Sequence, residues 1–130
     1  MSYISKDEQL LIKITKYMKK LRILFSTIEN LSDAEIDDGM DGLALTQCVT
    51  NLYELAIRID DETIAEKLSM LSSGRTARLR NISSHDYDAV DWSIAKNICK
   101  KLLNQITPKL LDDCADILAA NKSKTKNYTQ

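Results

Sequence analysis

Proline occurs once and glycine three times in 130 residues. An all-β fold needs a turn-forming cluster every ~8–12 residues, so this scarcity disfavours a turn-rich β architecture. Collagen-like and low-complexity classes fall for the same reason. One Phe and one Trp leave Leu and Ile to build the core. No apolar run approaches the ~18 residues of a membrane-spanning helix. The start, Met1-Ser2-Tyr3-Ile4-Ser5-Lys6-Asp7-Glu8, lacks the basic-then-apolar order of a signal peptide. Three cysteines, Cys48, Cys99 and Cys114, stand far apart without a C-x-x-C pair, which argues against both a disulfide framework and a zinc site. They read as reduced core residues, and the cytoplasm is the expected compartment. Neither charge sign dominates: 18 Lys+Arg face 19 Asp+Glu, a net −1. That excludes a globally basic nucleic-acid coat and leaves room for a local basic patch.

What is present is helical pattern over one domain's length. Ser5-Lys6-Asp7-Glu8 has capping-box spacing. Leu10, Ile14, Tyr17, Leu21, Leu24, Ile28 and Leu31 then follow at steps of four and three, predicting one long amphipathic helix whose seam serves the bundle core or a dimer contact. Residues 32–41 carry Asp33, Glu35, Asp37, Asp38 and Asp41. Their order does not match a calcium loop, and they read as a solvated connector. A second helix is expected over residues 43–59, and a shorter one capped by Asp60 or Asp61. Ser72-Ser73-Gly74 breaks the chain before a short helix over residues 75–83. Asp91 is an N-cap for a long final helix. Thr107-Pro108 interrupts it, either as a kink or as a restart with Thr107 as cap and Pro108 in the first helical position. Residues 1–121 thus form one domain and residues 122–130 a polar, disordered tail. The expected fold is all-α: an up-down bundle of four or five helices, the last kinked at Pro108.

One constellation can carry chemistry. The only histidine lies in Arg80-Asn81-Ile82-Ser83-Ser84-His85-Asp86-Tyr87, giving R-x-x-x-x-H-x-Y. Arginine binds phosphate through a planar, permanently charged fork, and histidine exchanges a proton near neutral pH. RNA brings its own nucleophile, the 2′-hydroxyl. Cleavage without metal needs a base for that hydroxyl, positive charge on the phosphate and an acid for the departing 5′-oxygen. One His cannot be base and acid in the same step, so a two-fold dimer is expected to supply two. On a helix, positions five apart lie about 140° apart. Arg80 and His85 therefore act together only if the helix ends near Ser83-Ser84, or if the partner residue comes from another subunit. The plain alternative is a helix-terminal His held by its Ser/Asp-rich turn, with Arg80 in a surface salt bridge.

At these residues the sequence resembles the HepT-like branch of the HEPN superfamily. Val90-Asp91, the interruption at Pro108, the long first helix and Asn51-Leu52 in the second fit the same template over roughly residues 5–120. The resemblance implies an all-α homodimer acting as a metal-independent endoribonuclease, the toxin of a toxin–antitoxin pair. Arg80 and His85 are the implied catalytic residues in a cleft across the dimer, with Asn81 and Ser84 as supporting motif residues. It also implies a minimal nucleotidyltransferase as antitoxin, which transfers AMP to Tyr87 and silences the enzyme. RNA is the implied substrate; DNA, a membrane and a cofactor are not expected. Two segments depart from many relatives: Leu52-Tyr53-Glu54-Leu55-Ala56 stands where a Gly-Glu-Ala stretch is common, and Met70-Leu71-Ser72-Ser73-Gly74 where Pro-Trp often precedes the motif. The alternative function is a non-catalytic HEPN-type bundle that binds a nucleotidyltransferase or a nucleotide.

Overall fold

The computed structural model describes residues 4–128, with side chains up to residue 123. Among the described residues seven helices follow one another: α1 Lys6–Ile28, α2 Asp33–Asp38, α3 Asp41–Ala56, α4 Glu62–Lys67, α5 Gly74–His85, α6 Trp92–Gln105 and α7 Pro108–Tyr128. Short 3-10 turns cover Ser69–Ser72 and Tyr87–Ala89. No strand occurs among the described residues. Five helices are at least 12 residues long and make the bundle; α2 and α4 are single turns and a half within its connections.

Local chemistry sets the starts of these helices. The Ser5 hydroxyl accepts from the Glu8 amide at 3.2 Å, Asp61 caps α4 through the Ile64 amide at 3.0 Å, and Asp91 caps α6 through the amides of Ser93 and Ile94. Each satisfies a donor that the first helical turn leaves free. The Thr107 hydroxyl accepts from the Leu110 amide at 3.1 Å and Pro108 opens α7. The chain therefore restarts at Pro108 rather than bending one continuous helix.

One expectation needs correction. Residues 32–41 are not merely a solvated connector: Ser32 and Glu35 form a complete capping box and start α2, whose Ile36 is fully buried. α7 runs on through the polar stretch after Asn121 to Tyr128. Residues 129–130 of the expected tail, and residues 1–3, lie outside the described residues.

The core is aliphatic, as the aromatic count requires. Ile14, Leu21 and Ile28 of α1 meet Leu45, Val49 and Leu52 of α3, all fully buried. α1 packs on α3, α6 and α7, and α3 in turn packs on α5, so the motif helix reaches the core through α3. Burying such side chains contributes about 1.5–3 kcal/mol each. Polar links fasten both ends of the bundle. At one end the Asp7 carboxylate accepts from the amides of Asp60 and Asp61 at 3.0 and 2.9 Å, and Asn121 donates to Asp61 at 3.0 Å. At the other end the Trp92 indole donates to Asp37 at 2.7 Å, and Lys96 donates to the Leu31 carbonyl at 2.7 Å. All three cysteines are buried and unbridged.

Candidate active site

α5 carries the motif, and its interior is short of apolar residues: only Thr76 and Leu79 are buried. Leu79 anchors the helix, which turns Arg80 towards α3. There the Arg80 guanidinium is paired with Glu54, donates to Asn81 at 3.0 Å and sits over the Tyr53 ring, 5.5 Å from its centroid. Its Nε is buried without a hydrogen-bond partner. The side chain keeps 33% of its surface exposed, so it is held firmly but remains within reach of solvent. Asn81 thus acts directly on Arg80, as a neighbour that fixes one edge of the fork.

His85 is the last residue of α5 and is exposed. Of the two arrangements that would let Arg80 and His85 act together, a helix end that swings His85 back within the chain is not the one seen: both serines are helical and α5 runs through His85. The Ser83 hydroxyl bonds to the Arg80 carbonyl within the helix at 3.1 Å instead of diverting the backbone. Arg80 and His85 therefore project about 140° apart within one chain. The structure brings Arg80 together with Asn81, Glu54 and Tyr53; it does not bring His85 to them.

Between α3 and α5 runs a cleft of about 690 Å³, lined by Met40, Leu43, Gln47 and Thr50 on one side and by Ser83, Ser84 and Tyr87 on the other. Glu54 follows Gln47 and Thr50 at helical spacing on α3, so the cleft leads towards the Arg80–Glu54 pair. Ser84 lines this cleft and is exposed.

Tyr87 borders the cleft with its ring, but its hydroxyl is buried and makes no hydrogen bond. The cause is Gly42. A Cβ at that position would stand 2.5 Å from the Tyr87 oxygen and 2.5 Å from the Trp92 ring, so only glycine leaves the notch that receives them. Tyr87 and Trp92 meet edge to face at 5.6 Å. Burial pushes the Tyr87 phenol above its ordinary pKa, and the carboxylates of Asp37 and Asp88 add to the shift.

Sequence reasoning missed Glu54 and Tyr53 as holders of Arg80, and Gly42 as the seat of Tyr87. They lie 26 or more positions from the residues they touch. The departure from the common pattern at residues 52–56 was the one visible signal, and it falls where Arg80 is held.

No group of three or more His, Cys, Asp or Glu side chains arranged to hold a metal is found among the described residues. No helix among them is long and apolar enough to cross a membrane.

Comparison with curated proteins and with solved structures gives no match. Comparison with protein-family models matches residues 14–112 to the family described as Ribonuclease HepT-like. The match spans most of the chain, includes the whole Arg80–Tyr87 segment and agrees with the all-helical bundle. The chain belongs to the HepT-like ribonuclease family, and ribonuclease activity is the general function that this membership supports.

Proposed function

We propose that this protein is a metal-independent endoribonuclease, the toxin of a toxin–antitoxin pair, with a cleft shared by two subunits of a homodimer. The family match over residues 14–112 carries this reading. Arg80 supplies fixed positive charge to the scissile phosphate, and Asn81 keeps its fork oriented. His85 moves the proton. A base takes the proton of the 2′-hydroxyl, the 2′-oxygen attacks the adjacent phosphorus, and the bond to the 5′-oxygen breaks as an acid protonates it. The products are a cyclic phosphate and a 5′-hydroxyl. The two proton transfers need two groups. The 140° between Arg80 and His85 on α5 makes a second subunit the physical way to place an imidazole opposite a guanidinium.

Silencing by a nucleotidyltransferase that transfers AMP to Tyr87 fits the cleft, which has room for a nucleoside beside Ser84 and leads towards Arg80. The transfer requires the Tyr87–Ala89 turn to lift its hydroxyl out of the Gly42 notch first. The binding-module reading draws support from one observation: in the single chain Glu54 already occupies Arg80.

One comparison tests both readings. The purified chain and His85→Ala are incubated with total RNA in excess chelator. The parent is expected to fragment the RNA and the variant to lose ~10²–10⁴ of the rate. Equal cleavage by both removes His85 from the mechanism, and an inert parent that magnesium activates removes metal independence. No cleavage under either condition favours the binding module. Light scattering should give a dimer mass at micromolar concentration; a monomer rejects the shared cleft. With the nucleotidyltransferase and ATP added, the parent should lose activity while Tyr87→Phe keeps it.

A further inference from the structure

The charge of this protein is balanced overall but not locally. Between Glu8 and Glu29 the chain contains Lys13, Lys16, Lys19, Lys20 and Arg22 and no carboxylate. All five cations are exposed. None of these lysines has a carboxylate within ion-pair distance among the described residues.

Helical spacing divides them. Lys13, Lys16 and Lys20 stand at steps of three and four along one stripe of α1. Lys13 borders the α3 side only, Lys16 and Lys20 also border, with Lys19, a groove against Asp112 of α7, and Arg22 lies on the α7 flank. On the α3 side a groove of about 300 Å³ is lined by Lys13, Lys16, Tyr17, Asn51, Glu54 and Leu55. Lys20 stands over the Tyr17 ring at 5.4 Å. The one carboxylate in the groove is Glu54, which is paired with Arg80. The basic flank of α1 therefore opens directly onto the residue that holds the proposed phosphate-binding arginine.

We infer that Lys13, Lys16 and Lys20 form a binding track for the phosphate backbone of single-stranded RNA on its way to Arg80. This rests on the ribonuclease reading and extends it to the substrate's flanking nucleotides. Charge complementarity selects the occupant: an unpaired run of lysines attracts a polyanion through counterion release, without regard to base sequence. Tyr17 offers a half-exposed ring beside the track, the kind of surface on which a base stacks. The lysines lie away from the reacting bond, so they contribute binding in the ground state and in the transition state alike.

The test is affinity against salt. A fluorescent 2′-O-methyl RNA oligonucleotide of mixed sequence has no nucleophile and stays intact, so binding is read apart from cleavage. The parent, a Lys13→Gln/Lys16→Gln/Lys20→Gln variant and a Lys100→Gln/Lys101→Gln control are titrated from 0.05 to 0.5 M salt. The slope of log affinity against log salt should fall by about 2 in the α1 variant, at ~0.7 per lost contact, and remain unchanged in the control. Affinity at 0.1 M should then drop on the order of a hundredfold. With cleavable RNA, the α1 variant should show a raised KM and a kcat near the parent's.

A parent that binds and cleaves RNA while the variant keeps the parental slope overturns the track and leaves the ribonuclease reading standing. A parent that neither binds nor cleaves overturns both. A variant whose slope is unchanged but whose mass by light scattering differs from the parent's assigns the α1 face to protein contact and overturns the track as well.

Discussion

Arg80 is held by an ion pair, a side-chain amide and an aromatic face, and each matters for a different reason. The Glu54 carboxylate fixes the direction of the fork, Asn81 its rotation, and Tyr53 lies under its plane. A lysine at this position carries the charge as a point and has no planar fork for phosphate or for Glu54. Arg80→Ala should therefore abolish cleavage, and Arg80→Lys should recover only a minor part of it. Glu54→Gln keeps an acceptor for the guanidinium and removes a negative charge from beside the proposed phosphate site, so it should lower KM; a higher KM would show instead that the carboxylate's charge is needed to aim Arg80. Gly42 is the other residue on which the site depends. Gly42→Ala forces Tyr87 and Trp92 outward, an overpacking that typically costs about 1–3 kcal/mol. A melting curve should show it as a fall of several degrees.

At the scale of elements, helix starts were legible and long-range partners were not. Ser5, Asp91 and Thr107 are short polar side chains whose capping chemistry acts within three or four residues, and each caps where the sequence places it. Replacing Asp91 with Ala should cost α6 roughly 1 kcal/mol, read as a lowered denaturation midpoint with unchanged slope. The same capping signal was present at Ser32-Asp33-Ala34-Glu35, but the density of carboxylates made the segment look like open loop. α5 shows the opposite error: serines near its end suggest a break, and the Ser83 hydroxyl instead bonds back into the helix. Of the candidate site, the motif residues and their order along one helix were legible. The Arg80–Glu54 pair and the Tyr87 notch were not, because nothing local in α5 encodes which face of α3 it will meet.

For the whole molecule, the buried thiols tie stability to alkaline pH. Burial raises Cys48 from 9.0 to about 11 and Cys99 from 9.0 to about 12, and it also raises Cys114 and the Tyr87 phenol. Each group stays protonated in the folded chain over a range where the unfolded chain has released the proton. The folded state then binds more protons, and stability falls as pH rises. The contribution is intact below about pH 9 and is lost as pH passes through 11 and 12. Denaturation midpoints should hold up to pH 9 and decline above it, and Cys99→Ala should make the decline shallower. The carboxylate of Asp7 adds a different constraint. It joins α1 to amides 53 and 54 positions away, and Asn121 reaches Asp61 across 60 more. Closures over such distances cannot form until the helices between them have collapsed. The links at the other pole, Trp92 to Asp37 across 55 positions and Lys96 to Leu31 across 65, obey the same limit, so the polar contacts at both poles act as clasps that close on a bundle already gathered.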